Sequence, residues 1–260
     1  MQPIIRVNNI TKTYNTDGRL ESLTVLQNMN IDIQENEFVC IVGPSGCGKS
    51  TLLRLIAGLE FPTEGNVLYR GENLTKPRKE IGMVFQNYSL MPWLNVEDNI
   101  AMGLNFKRVA QAEKKNTVDE FLKIIGLEKF RKSYPHELSG GMQQRVAIAR
   151  TLANSPDVVL MDEPFGALDA YTRILLQKEL LRIWEYDKKT IIFVTHSVDE
   201  AIYLADRIIL MSGKKGAVSR EVSVDIPRIR DRADSRYAKL TQELLEELEQ
   251  LNNLTMDKIN

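Results

Sequence analysis

An α/β fold with a mostly parallel core sheet is predicted for this 260-residue chain by three observations. Short β-rich apolar runs alternate with helical patterns, as expected of strands covered on both faces. One such run, "EFVCIV" (Glu37–Val42), passes directly into a glycine-rich loop and then into a helical stretch. Two more β-branched runs, "DVVLMD" at 157–162, uncharged between its two aspartates, and "TIIFVT" at 190–195, have the composition of buried core strands. An antiparallel β subdomain and an inserted α-helical subdomain complete the expected fold.

Taken in order, "IIRVNNI", "TVLQNMNIDI" and "GNVLYRGENL" read as short antiparallel strands joined by turns. After the glycine loop, Leu52, Leu53, Leu55, Ile56 and Leu59 mark the apolar face of a helix in "KSTLLRLIAGL". Residues 87–155 read as helices with no strong strand, so a helical insertion splits the sheet. After Pro227 the chain turns arginine-rich, then becomes "KLTQELLEELEQLNN", where Leu240, Leu244, Leu248 and Leu251 fall on one helix face. No internal repeat or low-complexity tract is present.

Composition excludes several classes. Lys and Arg number 34 against 35 Asp and Glu, a net charge of −1, which lacks the basic excess of a protein that mainly grips nucleic acid. Arg228, Arg230, Arg232 and Arg236 lie among Asp231, Asp234 and an acidic helix and read as a solvated tail. The two cysteines, Cys40 and Cys47, fit a reducing compartment better than a disulfide framework. The N-terminus has no signal-peptide succession, and no stretch reaches the roughly 18 apolar residues of a membrane span. Any membrane role is expected to be peripheral.

The strongest chemical signal is Gly43, Pro44, Ser45, Gly46, Cys47, Gly48, Lys49, Ser50 and Thr51, a complete glycine-rich phosphate loop between a strand and a helix. Glycines let the backbone curl so that successive N–H groups and a helix N-terminus face phosphate oxygens. Lys49 then reaches the β- and γ-phosphates and Ser50 ligates Mg²⁺. "VVLMDEP" brings Asp162 to the C-terminal end of a buried strand, where a carboxylate can hold the metal shell and Glu163 can orient the attacking water. His196 follows "TIIFVT" and shares that ligand-facing end, within reach of a γ-phosphate; its rival reading is a capping or core histidine. His136, in the helical part, reads as structural. Cys47, at the start of the Lys49 helix, is expected to be a reactive thiolate and Cys40 an inert one.

"LSGGMQQR" (Leu138–Arg145) then poses a puzzle, because one nucleotide does not need a second serine-and-glycine turn before a helix. The whole set resembles the ATP-binding cassette (ABC) ATPases, the nucleotide-binding subunits of membrane transporters, whose signature is "LSGG". The order matches: Tyr14 as the aromatic on adenine, the phosphate loop, Gln86 in "MVFQN", the signature, "VVLMDE", "ALD" at 167–169, and His196. The resemblance implies a P-loop NTPase cassette over 1–226, with its helical subdomain at about 87–155, and a C-terminal helical tail over 227–260. It implies an ATP hydrolase using ATP and Mg²⁺, with Lys49, Glu163 and His196 catalytic and Ser50, Gln86 and Asp162 at the metal. It also implies that two cassettes face head to tail, so that Ser139, Gly140 and Gly141 act on the partner's nucleotide. Without the resemblance Tyr14 reads as a surface tyrosine and Gln86 as the end of a strand. Met142 departs from the commoner glutamine after "LSGG".

Met91, Trp93 and Leu94 in "NYSLMPWLNVEDNI" follow the glutamine loop, where a soluble domain rarely exposes such residues without a partner. The alternative is that Trp93 pins a loop. The resemblance places this region at the groove that receives a membrane subunit. "LMPWLNVEDNI", "EPFGALDAYTR" and "IPRIRDR" look most like the nitrate, sulfonate, taurine and bicarbonate importer branch. The implied partners are a second ATPase subunit, a copy or close paralogue, with permease subunits and, indirectly, a solute-binding protein. The implied place is the cytoplasmic face of the cell membrane. The rival is a soluble cassette protein of translation or DNA repair, which usually carries two cassettes or a long coiled-coil insertion. This chain shows neither, and no guanine-reading N-K-x-D either.

Overall fold

The computed structural model describes residues 2–15, 22–166, 168–213 and 215–256, with side chains through Leu251. Two compact units are present, Met1–Arg78 with Thr190–Asn260, and Lys79–Lys189. In chain order the elements begin with β1 (Ile5–Asn15), β2 (Ser22–Ile33), β3 (Phe38–Val42), α1 (Lys49–Ile56), β4 (Glu64–Tyr69) and β5 (Glu72–Asn73). The second unit holds β6 (Ile81–Val84), α2 (Val96–Phe106), α3 (Gln111–Ile124), α4 (Gly140–Leu152), β7 (Val158–Asp162) and α5 (Ala170–Tyr186). The chain returns to the first unit with β8 (Thr190–Thr195), α6 (Val198–Leu204), β9 (Arg207–Met211), β10 (Val218–Ser223) and α7 (Ser235–Met256).

In the first unit, β2, β1, β4 and β5 form an antiparallel sheet in that order. Leu26, Met29, Ile31 and Ile33 of β2 are buried, while their neighbours Asn28, Asn30 and Asp32 are exposed. Asn9 and Asn28 take positive φ at the irregularities of β1 and β2, a conformation that asparagine tolerates better than most residues. Gly65 packs against this bulge so closely that a Cβ would lie 2.3 Å from the Asn8 carbonyl oxygen. The core of the unit is β3, fully buried and paired in parallel with β8 on one side and β9 on the other. β10 closes the edge antiparallel to β9. These burials explain why the core strands read as continuous apolar runs rather than alternating ones.

The second unit contains the parallel pair β6 and β7, with Val84 opposite Met161. Its helices enclose their own apolar core of Val96, Ile100, Val118, Leu122, Leu138 and Val146. Three of the unit's helices, α2, α4 and α5, start at a side-chain cap, whereas α3 starts after Ala110 without one. The side chains of Asn95, Ser139 and Asp169 accept the backbone N–H of Asp98, Met142 and Thr172 respectively. Thr172 holds the Asp169 carboxyl below the usual range, its backbone N–H first and its hydroxyl second. Ala167, in the predicted "ALD" turn, lies outside the described residues.

Two expectations are corrected. The tail arginines are not a solvated cluster. Arg230 is 4% exposed and donates to the carbonyls of Ile226 (2.8 Å), Ile202 (2.6 Å) and Val224 (3.2 Å). Burial, with the Arg228 charge second, lowers its pKa to about 10. Arg228 and Arg232 are half-buried and pair with Asp206 and Asp199, and only Arg236 with Asp234 stays on the surface. A guanidinium fork satisfies several carbonyls at once, so these residues act as staples. The predicted leucine face of α7 is the covered one: Tyr237 and Leu244 are buried, and Leu240, Leu248 and Leu251 are half-covered.

Cys47 is the second correction. Its side chain is 2% exposed, and its sulfur sits 3.0 Å from where a Gly43 Cβ would stand. The turn at Gly216 also closes over the Cys47 carbonyl, 2.5 Å from a Cβ built there. A helix dipole raises reactivity only in a thiol that reagents reach. Cys40 is fully buried, and burial first, with Glu200 second, holds its thiol well above its usual range.

Two outcomes are expected. Arg230→Leu leaves three carbonyls without their donor and should destabilise the first unit by about 2–4 kcal/mol, read as a lower urea midpoint. Native protein treated with a maleimide should label neither cysteine at the rate seen in urea; mapping by peptide mass spectrometry checks this, and rapid native labelling of Cys47 would contradict the burial.

Candidate functional site

The first unit gathers the phosphate loop, His196 and Tyr14. Val42 pairs with Thr195 at the ends of β3 and β8, so Gly43 and His196 leave neighbouring strands at the same edge. Gly48 caps α1 with φ 100°, a left-handed value, and its close neighbour Leu26 would lie 2.7 Å from any Cβ. Both facts restrict that position to glycine. Gly46 has φ 80° with no atom near a built Cβ, so it is dictated by conformation and not by space. Lys49 is buried and turns back onto the loop, donating to the carbonyls of Gly43 at 2.8 Å and Pro44 at 2.9 Å.

Tyr14 lies at the far end of β1 and joins this group through its hydroxyl, which donates to Glu60 and is also hydrogen-bonded by Thr51. Partial burial, then the Glu60 hydrogen bond, pushes its pKa up. Lys12 stands over the ring 4.8 Å from its centroid. The aromatic is thereby tied to the first turn of α1. His196 is exposed, followed by the Ser197 cap of α6.

The second unit gathers Gln86, Asp162 and Glu163. The β6–β7 register brings the residues after Val84 and Met161 out at one edge. Asp162 ends β7 and is buried, whereas Gln86 is exposed two residues past β6. Glu163 holds φ 43°, a strained value for a residue with a Cβ, and its carbonyl accepts the Gly166 N–H at 3.1 Å. Its carboxylate comes near Gly166, 3.8 Å from where a Cβ on that residue would stand. All the oxygen donors expected at the metal, the Ser50 hydroxyl, Asp162 carboxylate and Gln86 amide, are hard ligands of the kind Mg²⁺ takes. Among the described residues no cluster of three or more His, Cys, Asp or Glu stands where it could hold a metal ion.

Ser139 caps α4 with its Oγ 3.3 Å from the Met142 N–H, and both Ser139 and Gly140 are exposed at the helix start. Gly141 is buried, and a Cβ there would lie 2.7 Å from the Thr172 methyl of α5. Gln143 fastens the same turn, donating to the carbonyls of Pro135 (3.0 Å) and Leu138 (3.2 Å). Met142 packs, half-buried, on the helical core, which accounts for its tolerance of an apolar residue. His136 is exposed and stacks on Tyr134.

Two residues went unnoticed in the sequence. Asn99 is fully buried on α2; its Oδ1 accepts the Met91 N–H at 2.9 Å, and its Nδ2 donates to the carbonyls of Met91, Leu94 and Asn95. Arg150 on α4 donates to the carbonyls of Ser89 (2.6 Å) and Tyr88 (3.0 Å). Between them they fix the 88–95 loop, in which Tyr88 and Ser89 take positive φ. Trp93 projects from that fixed loop at 70% exposure, so it does not pin the loop. The signal was a polar residue on an apolar helix face, as Asn99 stands beside Ile100 and Val96.

The ABC transporter family model matches residues 26–166. An ABC transporter ATP-binding protein of Methanocaldococcus jannaschii is 49% identical over 245 residues, covering 94% of this chain and 91% of that protein. An aliphatic sulfonates import ATP-binding protein, SsuB, of Bacillus cereus is 46% identical, covering 94% and 96%. A nitrate import ATP-binding protein, NrtD, of Synechocystis is 46% identical over 226 residues, covering 87% and 85%. Among solved structures, the dimeric post-hydrolysis state of the ATP-binding cassette MJ0796 bound to ADP and Pi has a TM-score of 0.75 at 39% identity, covering 85% of this chain and 98% of that one. With the fold, the phosphate loop and the capped signature helix in agreement, the chain belongs to the ABC transporter family, as an ATP-hydrolysing cassette.

Proposed function

We propose that this cassette is the ATPase subunit of a prokaryotic importer, working as a pair around two ATP molecules and driving uptake of a small anion through separate permease subunits. The observation that carries the pairing is the exposed start of α4. Ser139 and Gly140 present unsatisfied N–H groups and the positive end of a 13-residue helix, with no lysine of their own turn to complete an anion site. Such a half-site suits the γ-phosphate of a nucleotide held by a second chain. The import reading is supported by relatives whose names specify sulfonate and nitrate import. The exposed Trp93 loop, held rigid by Asn99 and Arg150, suits a permease contact on the cytoplasmic face of the membrane. Among the described residues no helix is long and apolar enough to cross a membrane, in keeping with spans on other chains.

In this reading the cassette occupies 1–226 and the tail 227–260. Tyr14 stacks on adenine, and the backbone N–H groups of Gly43, Ser45, Gly46, Cys47, Gly48, Ser50 and Thr51 cradle the phosphates, with Pro44 shaping the turn between them. Lys49 leaves its carbonyl partners for the β- and γ-phosphates. Ser50, Gln86 and Asp162 hold Mg²⁺, which when bound neutralises developing phosphate charge. Glu163 orients the attacking water and His196 hydrogen-bonds the γ-phosphate, so that ATP and water give ADP and phosphate. Removing the γ-phosphate removes the charge gripped from both sides, and the pair opens.

Glu163→Gln should bind MgATP and accumulate as an ATP-bound dimer while turnover falls by about 10²-fold or more, as for loss of a group that acts in the transition state. Lys49→Ala should weaken binding itself. Dimer formation by size-exclusion light scattering and phosphate release separate the two; near-normal turnover in Glu163→Gln removes that residue from the water-orienting role.

Ser139→Arg should abolish hydrolysis while leaving nucleotide binding by one chain nearly normal. Mixed with Lys49→Ala it forms heterodimers with one doubly defective site and one intact site, so activity should return. Absence of recovery in verified heterodimers argues against action in trans. Reconstitution with the permease encoded nearest this chain, assayed with nitrate and an alkyl sulfonate, tests the solute class.

A further inference from the structure

The arginine-rich arm that follows β10 grips α6 at both ends, and α6 begins two residues after His196. At its first turn, Asp199 receives a two-pronged contact from Arg232, Nε to Oδ1 and Nη2 to Oδ2, each at 2.8 Å. The Tyr237 hydroxyl reaches the same residue, 2.7 Å from Oδ1 and 2.9 Å from the backbone oxygen. Arg232 also lies over the Tyr203 ring, 4.3 Å from its centroid, so it is held on two sides. At the other end, Arg230 donates to the Ile202 carbonyl and Arg228 to the Leu204 carbonyl, each at 2.6 Å. Arg228 also binds Asp206 at 2.6 Å, whose other carboxylate oxygen accepts the Phe38 N–H at the start of β3.

The turn that carries His196 has its own fastening. The Thr195 hydroxyl donates to the buried Glu200 carboxylate at 2.5 Å and accepts the Ser197 N–H at 3.0 Å; the Ser197 hydroxyl accepts the Glu200 N–H at 3.3 Å. This knot fixes the turn relative to α6. α6 itself has only seven residues, six of them buried, so its hold comes from tertiary contacts and not from intrinsic helix stability. The arm supplies what a short helix lacks, an anchor at each terminus made from charge-assisted bonds.

We infer that residues 228–237 are a positioning element for His196, acting through Asp199 and α6, so that turnover in this cassette depends on its C-terminal arm. The inference rests on the reading of His196 as the group that contacts the γ-phosphate. The arm touches substrate nowhere in this account. Arg232 and Tyr237 are therefore positioning residues, and their loss should act on turnover and not on the phosphate loop, which leaves β3 at the opposite end from the Arg228–Asp206–Phe38 contact.

Two measurements on the full-length protein test it. The first is hydrogen exchange of the peptide spanning 195–200 in Arg232→Ala and in the milder Tyr237→Phe, which keeps the ring and loses only the hydroxyl. The Ser197 and Glu200 amides should exchange roughly fivefold faster or more in both, with the amides of β3 and β8 unchanged. Unchanged exchange at 197 and 200, or a rise spread over the whole unit, overturns the inference. The second is ATPase kinetics. Arg232→Ala should lower kcat by roughly tenfold with KM unchanged, within the ~10²-fold that a 1 Å misplacement costs, and Arg232→Lys should recover only part, as it lacks the two-pronged fork.

A third set of variants separates this inference from the reading beneath it. If His196→Gln depresses turnover and Arg232→Ala lowers it no further in that background, the arm acts through His196. Additive losses, or a KM that moves with kcat, overturn the inference while leaving His196 in its role. Normal turnover in His196→Gln removes the reading itself and the inference with it, whatever the arm variants do.

Discussion

The constraint on which the rest of the molecule depends is that a triphosphate must be met by backbone N–H groups, and backbone comes close only where no Cβ stands between. Gly48 meets it twice, by a left-handed φ of 100° and by contact with Leu26. Gly141 meets a related demand inside α4, where the Thr172 methyl leaves no room for a side chain. Both glycines stand at the start of a helix, where four N–H groups lack intrahelical partners and the dipole is positive. A fully buried strand in front of the first loop holds that helix end at a fixed place in the sheet. At both glycine positions close packing excludes a side chain, with a left-handed φ added at Gly48, and the backbone is left bare at the helix start.

Rigid presentation in this chain relies on buried polar side chains that satisfy backbone carbonyls in irregular segments. Asn99 and Arg150 do so for the 88–95 loop, and Arg228 and Arg230 for the C-terminal end of α6. A loop with no regular hydrogen-bond ladder has orphaned backbone groups, and burying them without partners costs free energy comparable to a lost hydrogen bond each. A guanidinium supplies up to five donors, so one arginine replaces a turn of secondary structure. The same logic explains why Trp93 stays exposed. Its loop is held from beneath by Asn99, and the ring is not needed to hold it.

Much of the fold was legible because its signals are local. The strands β3, β7 and β8 read as apolar β-branched runs, and Ser139 as a cap reads from one hydroxyl before two glycines. The phosphate loop is legible for the same reason: each residue's role follows from neighbours within nine positions. The tail arginines were misread because their acceptors are distant, Ile202 being 28 residues before Arg230. Charge interspersion described the segment correctly and its burial wrongly. Cys47 was misread for a related reason. Part of its cover comes from the Gly216 turn, far away in sequence.

The proposed groups divide between the two units. Lys49, Ser50 and His196 belong to the first, and Gln86, Asp162, Glu163 and the signature serine to the second. Glu163 sits in a strained backbone conformation, which persists only where surrounding structure over-determines it. The carboxylate proposed to orient water is thereby held by the second unit's own turn, where the Glu163 carbonyl accepts the Gly166 N–H. In the first unit the corresponding constraint lies on the turn that carries His196, since the α6 that follows it is gripped at both ends by the C-terminal arm.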